Sequence, residues 1–565
     1  MTQKLIMSLF AVIIIGVFSG CDKSDGEKTG DALPQTKSDS ASASVIDEET
    51  YRRHVATLAS DEFGGRRPNS KGEELTVDYL VSTFKSLGLS PGNGDSYIQK
   101  VPLISVEVTN RPALTINDNK GNTLVLEYGK EQVVSTRRQI PDSELLNSEV
   151  VFVGYGINAP ERNWNDYANV DVKGKTVIVL INDPGFATQN PNLFNGNSMT
   201  YYGRWTYKYD EAARQGATGV IIIHDTKPAA YPWATVENSW IGPQFDIRRR
   251  DQGKDLAAVE SWINKEKATA LFEMAGIDLT AMYQRAQTPG FEAVEMNLTA
   301  STSLKTQTNE VVSKNVAALI KGSEKPEEIF VYMAHWDHLG IDASAAGDGI
   351  FNGAFDNATG TSGLLELAAA FSNLKSSPRR SVLFLAVTAE EQGLLGSHYY
   401  AANPLFPLQN TVAGLNMDGL NNIGATHDVT VIGYGFSQLD GVAEIEANKQ
   451  GRVLAADREA EKGKYFRSDH FELAKLGVPM MYLKGGYDHK ENGLDYGLMK
   501  SAEYTANHYH RVSDEYHADW NVSGALDDLQ LYFQIGTAIS NGSDWPNWND
   551  GSEFKALRDA QRTPH

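Results

Sequence analysis

Short runs of apolar residues alternate with stretches of helical periodicity in the second half of the chain. The runs at 329–334, 381–387 and 411–416 have the length of strands and are mainly apolar, which is typical of strands buried on both faces. Between the first two runs, residues 360–375 carry the spacing of an amphipathic helix, with apolar side chains at Leu364, Leu367, Ala368, Phe371 and Leu374. This alternation predicts an α/β fold whose mostly parallel central sheet is covered by helices on both faces.

Side chains that can bind metal ions follow each of these predicted strands. His335 comes directly after the first strand, the pair Glu390 and Glu391 follows the second, and Asp418 follows the third. Because ligands bind at the carboxyl ends of parallel strands, we expect these side chains to converge. Adjacent carboxylates repel each other unless a cation or a proton neutralises them. Together with Asp356 and His510, the set predicts a two-metal hydrolase.

The sequence lacks the signatures of several other protein classes. It has no His-Glu-x-x-His helix and no Gly-x-Ser-x-Gly elbow, and Asn169 stands where a phosphate loop ending at Gly174 would need glycine. The single cysteine excludes a four-cysteine zinc site and a disulfide framework. A net charge of −21 argues against binding to nucleic acid or, through charge, to acidic lipid surfaces.

Six segments, in order along the chain, resemble the co-catalytic zinc aminopeptidases of peptidase family M twenty-eight, which also contains glutamate carboxypeptidases and the transferrin receptor. The matching segments are 334–338, 353–360, 388–397, 416–418, 467–471 and 509–514. The resemblance implies two zinc ions as cofactors, with Asp356 bridging them. It implies that Glu391 and His510 complete one site and that His335 and Asp418 complete the other. Imidazole nitrogen and carboxylate oxygen are both ordinary zinc ligands.

The same resemblance implies roles for four further residues. Glu390 would be the general base, since it adjoins a ligand without being one. Asp337 would orient His335 from behind and fix the tautomer of its imidazole. Tyr509 would donate to the developing oxyanion. Arg467 would contact the terminus of the substrate. Without the resemblance, a surface arginine is an equally good interpretation of this residue.

Two more histidines lie close in sequence to the predicted ligands His335 and His510. His338 lies three residues after His335, on a loop rather than a helix, and is assigned a supporting or structural role. His508 lies two residues before His510, but the Val512-Ser513-Asp514 that follows favours His510 as the ligand.

The amino-terminal residues predict export from the cytoplasm. An apolar stretch at 9–18, too short to span a membrane, is followed by Ser19-Gly20-Cys21, which resembles a bacterial lipoprotein signal. Residues 1–20 would then be the signal peptide, and Cys21 would carry the lipid that holds the protein on a membrane, facing the periplasm. The alternative is an ordinary secretory signal that ends near a cysteine.

The rest of the chain divides into several predicted segments. Residues 21–45 form a flexible tether, 46–135 the first part of the peptidase domain, 306–545 the catalytic part and 546–565 a carboxyl-terminal tail. Strand and turn segments within 136–305 resemble a mixed α/β protease-associated domain inserted into the peptidase. The buried members of the aromatic stretch from Tyr201 to Tyr207 are assigned to the core of that insertion rather than to the approach to the active site.

These features predict a lipid-anchored, extracytoplasmic, two-zinc exopeptidase that removes amino-terminal residues from peptides. A carboxypeptidase of the same fold is the alternative within the enzyme class. A non-catalytic binding protein like the transferrin receptor is a third reading, which the presence of Glu390 and of all five ligand positions opposes. Glutaminyl cyclisation also occurs in this fold, but His335 with Asp337 favours two metals over one. The sequence does not indicate an oligomeric state.

Overall fold

The computed structural model describes residues 46–240 and 242–562. The predicted signal peptide 1–20 and the whole tether 21–45, including the lipidation site Cys21, lie outside the described residues. Within the described ranges, no helix combines the length and apolar character that crossing a bilayer requires.

The helices are numbered in chain order. They are α1 Glu48–Leu58, α2 Lys71–Ser86, α3 Pro184–Thr188, α4 Trp205–Arg214, α5 Thr226–Ala229, α6 Trp233–Ser239, α7 Lys265–Met274, α8 Leu279–Ala286, α9 Thr359–Ser372, α10 Leu395–Ala402, α11 Leu439–Lys449, α12 His470–Ala474, α13 Gly493–Asn507, α14 Ser523–Asn541 and α15 Lys555–Arg562.

The strands are numbered in the same way. They are β1 Ser90–Pro91, β2 Ile98–Val108, β3 Leu114–Asp118, β4 Thr123–Leu126, β5 Gln132–Ser135, β6 Asp142–Phe152, β7 Asn158–Ala159, β8 Trp164–Asn165, β9 Thr176–Leu180, β10 Gly219–His224, β11 Gln244–Ile247, β12 Val259–Asn264, β13 Val294–Ile320, β14 Lys325–His335, β15 Gly340–Ile341, β16 Ile350–Phe351, β17 Arg380–Val387, β18 Thr411–Asn416, β19 Asp428–Ile432, β20 Val453–Ala456 and β21 Met480–Gly485.

The central sheet has β14 in its middle. β14 pairs in parallel with β17 on one side and with β18 on the other, and β18 pairs in parallel with β21. All eight residues of β17 and all six of β18 are buried, as expected for strands covered on both faces. The predicted α/β fold with a mostly parallel central sheet is confirmed.

A second sheet is built mainly from residues 114–305. Its core is parallel, with β9 between β6 and β10 and with β12 beside β10. The long strand β13 belongs to both sheets, since its first part pairs with β6 and β3 and its last part with β17. The strands β3, β4 and β5 also belong to the second sheet, which therefore begins at Leu114, before the boundary at 136 predicted for the insertion.

Helix α14 covers β14, the strand that ends at His335. The Tyr332 hydroxyl donates a hydrogen bond of 2.6 Å to the carbonyl of Tyr532. The close approach depends on Gly536, because a Cβ atom there would lie 1.8 Å from the Tyr332 hydroxyl oxygen. The hydrogen bond and the close approach hold α14 against β14 three residues before His335.

We expect Gly536→Ala to destabilise the protein by about 1–3 kcal/mol, because overpacking against β14 outweighs the better helix propensity of alanine. The matched control is Gly441→Ala in α11, where no heavy atom lies within 4 Å of the added Cβ. The control should gain about 0.5–1 kcal/mol. Thermal or urea unfolding measures both changes, and equal stability of the two variants would contradict this account of the α14 contact.

Candidate metal centre

The carboxyl ends of three neighbouring strands bring the predicted ligands together. His335 is the last residue of β14, Glu390 and Glu391 follow the end of β17, and Asp418 follows the end of β18. Because β14 pairs in parallel with both other strands, their carboxyl ends meet at one edge of the sheet. Asp356 enters from the turn at Ala354–Ala358, and His510 from the loop after α13.

The carboxylate of Asp356 lies between two histidines. Its Oδ1 atom is 3.4 Å from His335 Nε2, and its Oδ2 atom is 3.4 Å from His510 Nε2. His335 Nε2 is also 3.7 Å from an Asp418 oxygen, and His510 Nε2 is 3.0 Å from Glu391 Oε2. Asp356 thus lies beside one histidine from each of the two ligand groups expected from the sequence.

His338 lies in the centre, in contact with the predicted ligand Glu391. Its Nδ1 atom is 2.5 Å from Glu391 Oε1, and ligand atoms of His338, Asp356 and Glu391 all lie within 4.8 Å of one another. A second group with the same property comprises His335, Glu390 and Asp418. The contact with Glu391 suits a residue that orients a ligand from behind.

Asp337 positions both His335 and Glu390. His335 Nδ1 lies 3.2 Å from the Asp337 carbonyl oxygen, while the Asp337 carboxylate is farther away, at 3.9 Å. A hydrogen bond donated by Nδ1 to this carbonyl leaves Nε2 as a lone-pair donor facing Asp356 and Asp418. The Asp337 carboxylate accepts a hydrogen bond of 3.1 Å from the backbone N–H of Glu390. The predicted orienting role is thus met through the backbone carbonyl more than through the carboxylate.

Two of the buried acids in the centre, Asp337 and Glu390, have raised pKa values. Burial raises the pKa of Asp337 to about 8 and raises that of Glu390 well above its ordinary value. Burial opposes protonation of His335, but the charges of Glu390 and Asp418 outweigh it and raise the histidine's pKa well above normal. A dication would remove this competition for protons, since carboxylates buried together need a counter-charge.

The donor set fits zinc. His335 Nε2, His338 Nε2 and Asp337 Oδ2 are inaccessible to solvent and lack hydrogen-bond partners among the described residues. Buried polar atoms of this kind are costly unless a ligand satisfies them. Imidazole nitrogens and carboxylate oxygens in two groups of this size match what zinc selects.

Tyr509 contacts the predicted ligand His510, and Arg467 precedes a residue that is hydrogen-bonded to β18. The ring of Tyr509, which is 41% exposed, stacks on the His510 ring at 3.9 Å between centroids. Arg467 is exposed and ends the short helical turn Lys464–Arg467. The next residue, Ser468, accepts a hydrogen bond of 2.7 Å from Asn416, the last residue of β18.

Two supporting residues had no role assigned from the sequence. The buried guanidinium of Arg66 donates to the carbonyls of Leu58, Trp336, Asn352 and Gly353 at 2.6–2.9 Å. Asp514 accepts hydrogen bonds from the backbone N–H groups of Phe355 and Asp356 at 3.0 and 3.1 Å. Arg66 follows Gly64-Gly65 in a turn without periodicity, so its only sequence signal is the glycine pair.

The family comparison agrees with this geometry. Residues 315–534, which include all five predicted ligands, match the model described as Peptidase family M28.

Curated relatives match over parts of their length. A probable zinc metalloprotease of Leptosphaeria maculans is 36% identical over 104 residues, covering 18% of this chain and 23% of its own. Aminopeptidase NAALADL1 of Mus musculus is 32% identical over 284 residues, covering 41% of this chain and 36% of its own. The chain therefore spans about a quarter to a third of the length of these relatives.

Among solved structures, an aminopeptidase from Aneurinibacillus sp. strain AM-1 aligns with 88% of this chain and 94% of its own, at 20% identity and a TM-score of 0.45.

We expect Arg66→Met to weaken zinc binding by ~10- to 100-fold. The segments next to His335 and Asp356 would lose the hydrogen bonds that the Arg66 guanidinium donates to both of them. Arg66→Lys should fall between that variant and the wild type, since lysine keeps the charge but not the planar fork. Competition with a chromophoric chelator measures the affinity. The control is Arg67→Met, which changes the exposed neighbouring arginine. Unchanged zinc affinity in folded Arg66→Met would contradict this role.

Proposed function

We propose that the protein is a two-zinc exopeptidase that removes amino-terminal residues from peptides. The observation that carries this proposal is the Asp356 carboxylate, whose two oxygens each face a different histidine at 3.4 Å. A carboxylate with this placement suits a bridge between two metal ions. The match of residues 315–534 to a peptidase family supports hydrolysis of peptide bonds.

When bound by His335, Asp356, Glu391, Asp418 and His510, zinc would polarise the scissile carbonyl and make a water molecule more acidic. Glu390 accepts a proton from that water at its carboxylate and delivers it to the leaving amine. Burial raises the pKa of the Glu390 carboxyl, which strengthens it as a proton acceptor. The Tyr509 hydroxyl, beside His510, donates toward the oxygen on which negative charge develops.

The charges around the centre support the proposed direction of cleavage. The carboxylates of Glu390 and Asp418 suit a free ammonium group next to the scissile bond, which is the arrangement an aminopeptidase needs. Arg467 favours the second candidate, a carboxypeptidase, because a guanidinium pairs with carboxylate in two parallel hydrogen bonds. We rank amino-terminal cleavage first, since Glu390 and Asp418 lie in the metal centre itself.

We also propose that the protein acts outside the cytoplasm, held on a bacterial membrane by lipid at Cys21. The proposal rests on the short apolar stretch at 9–18 and on Ser19-Gly20-Cys21. The segment 136–305 is proposed as a protease-associated domain on its sequence resemblance.

We expect the zinc-loaded protein to cleave a peptide with a free amino terminus and to reject the amino-acetylated form by ~10⁴-fold or more. A site built for a charged donor leaves its own partners unpaired when the analogue lacks that donor. The two peptides share one sequence, and the Glu390→Gln variant controls for contaminating peptidases. Equal cleavage of both forms would contradict the proposal. If amidation of the carboxyl end then abolished cleavage, the carboxypeptidase would take its place.

A further inference from the structure

The loop that carries Glu390 and Glu391 is closed at its base. It runs from Thr388, directly after β17, to Gly396 in the first turn of α10, and is called the Glu390 loop below. The N–H of Gly396 donates a hydrogen bond of 2.9 Å to the carbonyl of Thr388. The two ends of the loop therefore lie side by side, with the proposed base and one predicted ligand between them in sequence.

The backbone of the Glu390 loop is held in an unfavourable conformation. Ala389 and Leu394 have φ angles of 54° and 62°, in the left-handed region that residues with a Cβ atom disfavour. Ala389 directly precedes Glu390. Such conformations persist only where the surrounding structure enforces them. The loop therefore depends on contacts from outside itself.

The side chain of Asn315 contacts both ends of the Glu390 loop. Its Oδ1 atom accepts a hydrogen bond of 3.0 Å from the N–H of Thr388, and its Nδ2 atom donates one of 2.9 Å to the carbonyl of Gly396. Asn315 and Thr388 are both buried, and unpaired backbone groups at such a site would be costly. One buried amide thus satisfies a backbone group at each end of the loop.

The partners of this amide fix its orientation. Rotation of the amide by half a turn would set N–H against N–H at Thr388 and oxygen against oxygen at Gly396. The second N–H of Nδ2 donates to Gln99 Oε1 at 3.0 Å, and Gln99 Nε2 donates to the carbonyl of Asn403, directly after α10, at 2.8 Å. Both donors of the Asn315 amide are therefore used, one on the loop and one on β2.

Gly396 lets the loop ends and the amide approach one another. A Cβ atom at this position would lie 2.2 Å from the Thr388 carbonyl oxygen and 2.6 Å from Asn315 Oδ1. Both distances are shorter than van der Waals contact. The close approach therefore requires a residue without a side chain at this position.

The pairing of β13 with β17 explains why a side chain takes this role. The register ends at the pair of Val316 with Ala386, and Asn315 is the next residue of β13 in the direction of the loop. Past this point, the N–H of Thr388 is bonded by a side chain of β13 and not by its backbone. Ser313, on the same face of β13, lies 2.6 Å from the Thr388 hydroxyl.

We propose that Asn315 is a positioning residue of the metal centre, whose amide holds the Glu390 loop so that Glu390 and Glu391 keep their places. The inference rests on the proposed two-zinc peptidase function and adds a residue that acts through the loop. Misplacing a reacting group by about 1 Å can cost ~10²-fold in rate. Loss of a group that supports a metal ligand typically costs ~10- to 100-fold in metal affinity.

The first test measures cleavage of leucyl-glycyl-glycine by Asn315→Ala at saturating zinc, with rates expressed per bound zinc. We expect kcat to fall ~10- to 100-fold and KM to stay within about 3-fold of the wild type, because the variant misplaces the base without removing a contact to the substrate. A wild-type kcat overturns the proposal.

The matched control is Asn264→Ala, at the end of β12 in the second sheet. The Asn264 amide also joins two backbone groups, since it accepts from the N–H of Lys267 at 2.9 Å and donates to the carbonyl of Lys130 at 3.1 Å. This variant should keep the kinetics of the wild type. An equal loss of kcat in both variants would mean general destabilisation and overturn the proposal.

Zinc affinity tests the role of Asn315 without turnover. Competition with a chromophoric chelator should show ~10- to 100-fold weaker zinc binding by Asn315→Ala, because the predicted ligand Glu391 lies in the released loop. Asn264→Ala should bind zinc like the wild type. Unchanged affinity in folded Asn315→Ala overturns the proposal. A wild type that binds zinc but cleaves no peptide would end the proposed function and leave this result decisive for Asn315.

Amide hydrogen exchange of the zinc-free protein adds a measurement that depends on neither metal nor activity. In the wild type, the N–H of Thr388 should exchange at least ~10²-fold more slowly than an exposed amide. In Asn315→Ala, the amides of Thr388 and Gly396 should exchange ~10-fold faster or more, with those of β14 unchanged. Fast exchange at Thr388 in the wild type overturns the proposal even where the variant does not fold, and uniform acceleration across the sheet in the variant overturns it as well.

Discussion

The crowding of carboxylates at one edge of the central sheet is the constraint on which the rest of the structure depends. Asp356, Glu391 and Asp418 are held around two imidazoles, and Glu390 and Asp337 lie directly beside them. Burying so many acids together costs free energy unless cations compensate. These acids lie at the carboxyl ends of β14, β17 and β18, where a parallel sheet brings three loops together.

The surrounding residues hold this arrangement through the backbone more than through ion pairs. Arg66 donates to four carbonyls, and Asp514 accepts from the turn that presents Asp356. His338 orients Glu391, and the Asp337 carbonyl orients His335. Such contacts fix ligand geometry before a metal binds, which limits the reorganisation that binding would need.

The sequence predicted the central sheet because β14, β17 and β18 are apolar on both faces, and it predicted the centre because its ligand types follow those strands. It did not assign roles to Arg66 or Asp514, since their partners are backbone groups that carry no residue-specific signal. The partly buried Tyr201 packs against two hydrophobic cores, which the composition of the aromatic stretch could not indicate. The start of the second sheet at Leu114 was also missed, because the pairing of β3 with β13 joins residues far apart in sequence.

Metal analysis of three purified, zinc-equilibrated proteins tests the central claim most directly. We predict about two zinc ions per chain in the wild type and in Glu390→Gln, with activity at least ~10²-fold lower in the variant because it lacks only the proton acceptor. Asp356→Ala should lose bound zinc and activity together, since it removes the shared ligand. A wild type that binds no zinc, or a Glu390→Gln variant with full activity, would contradict the account.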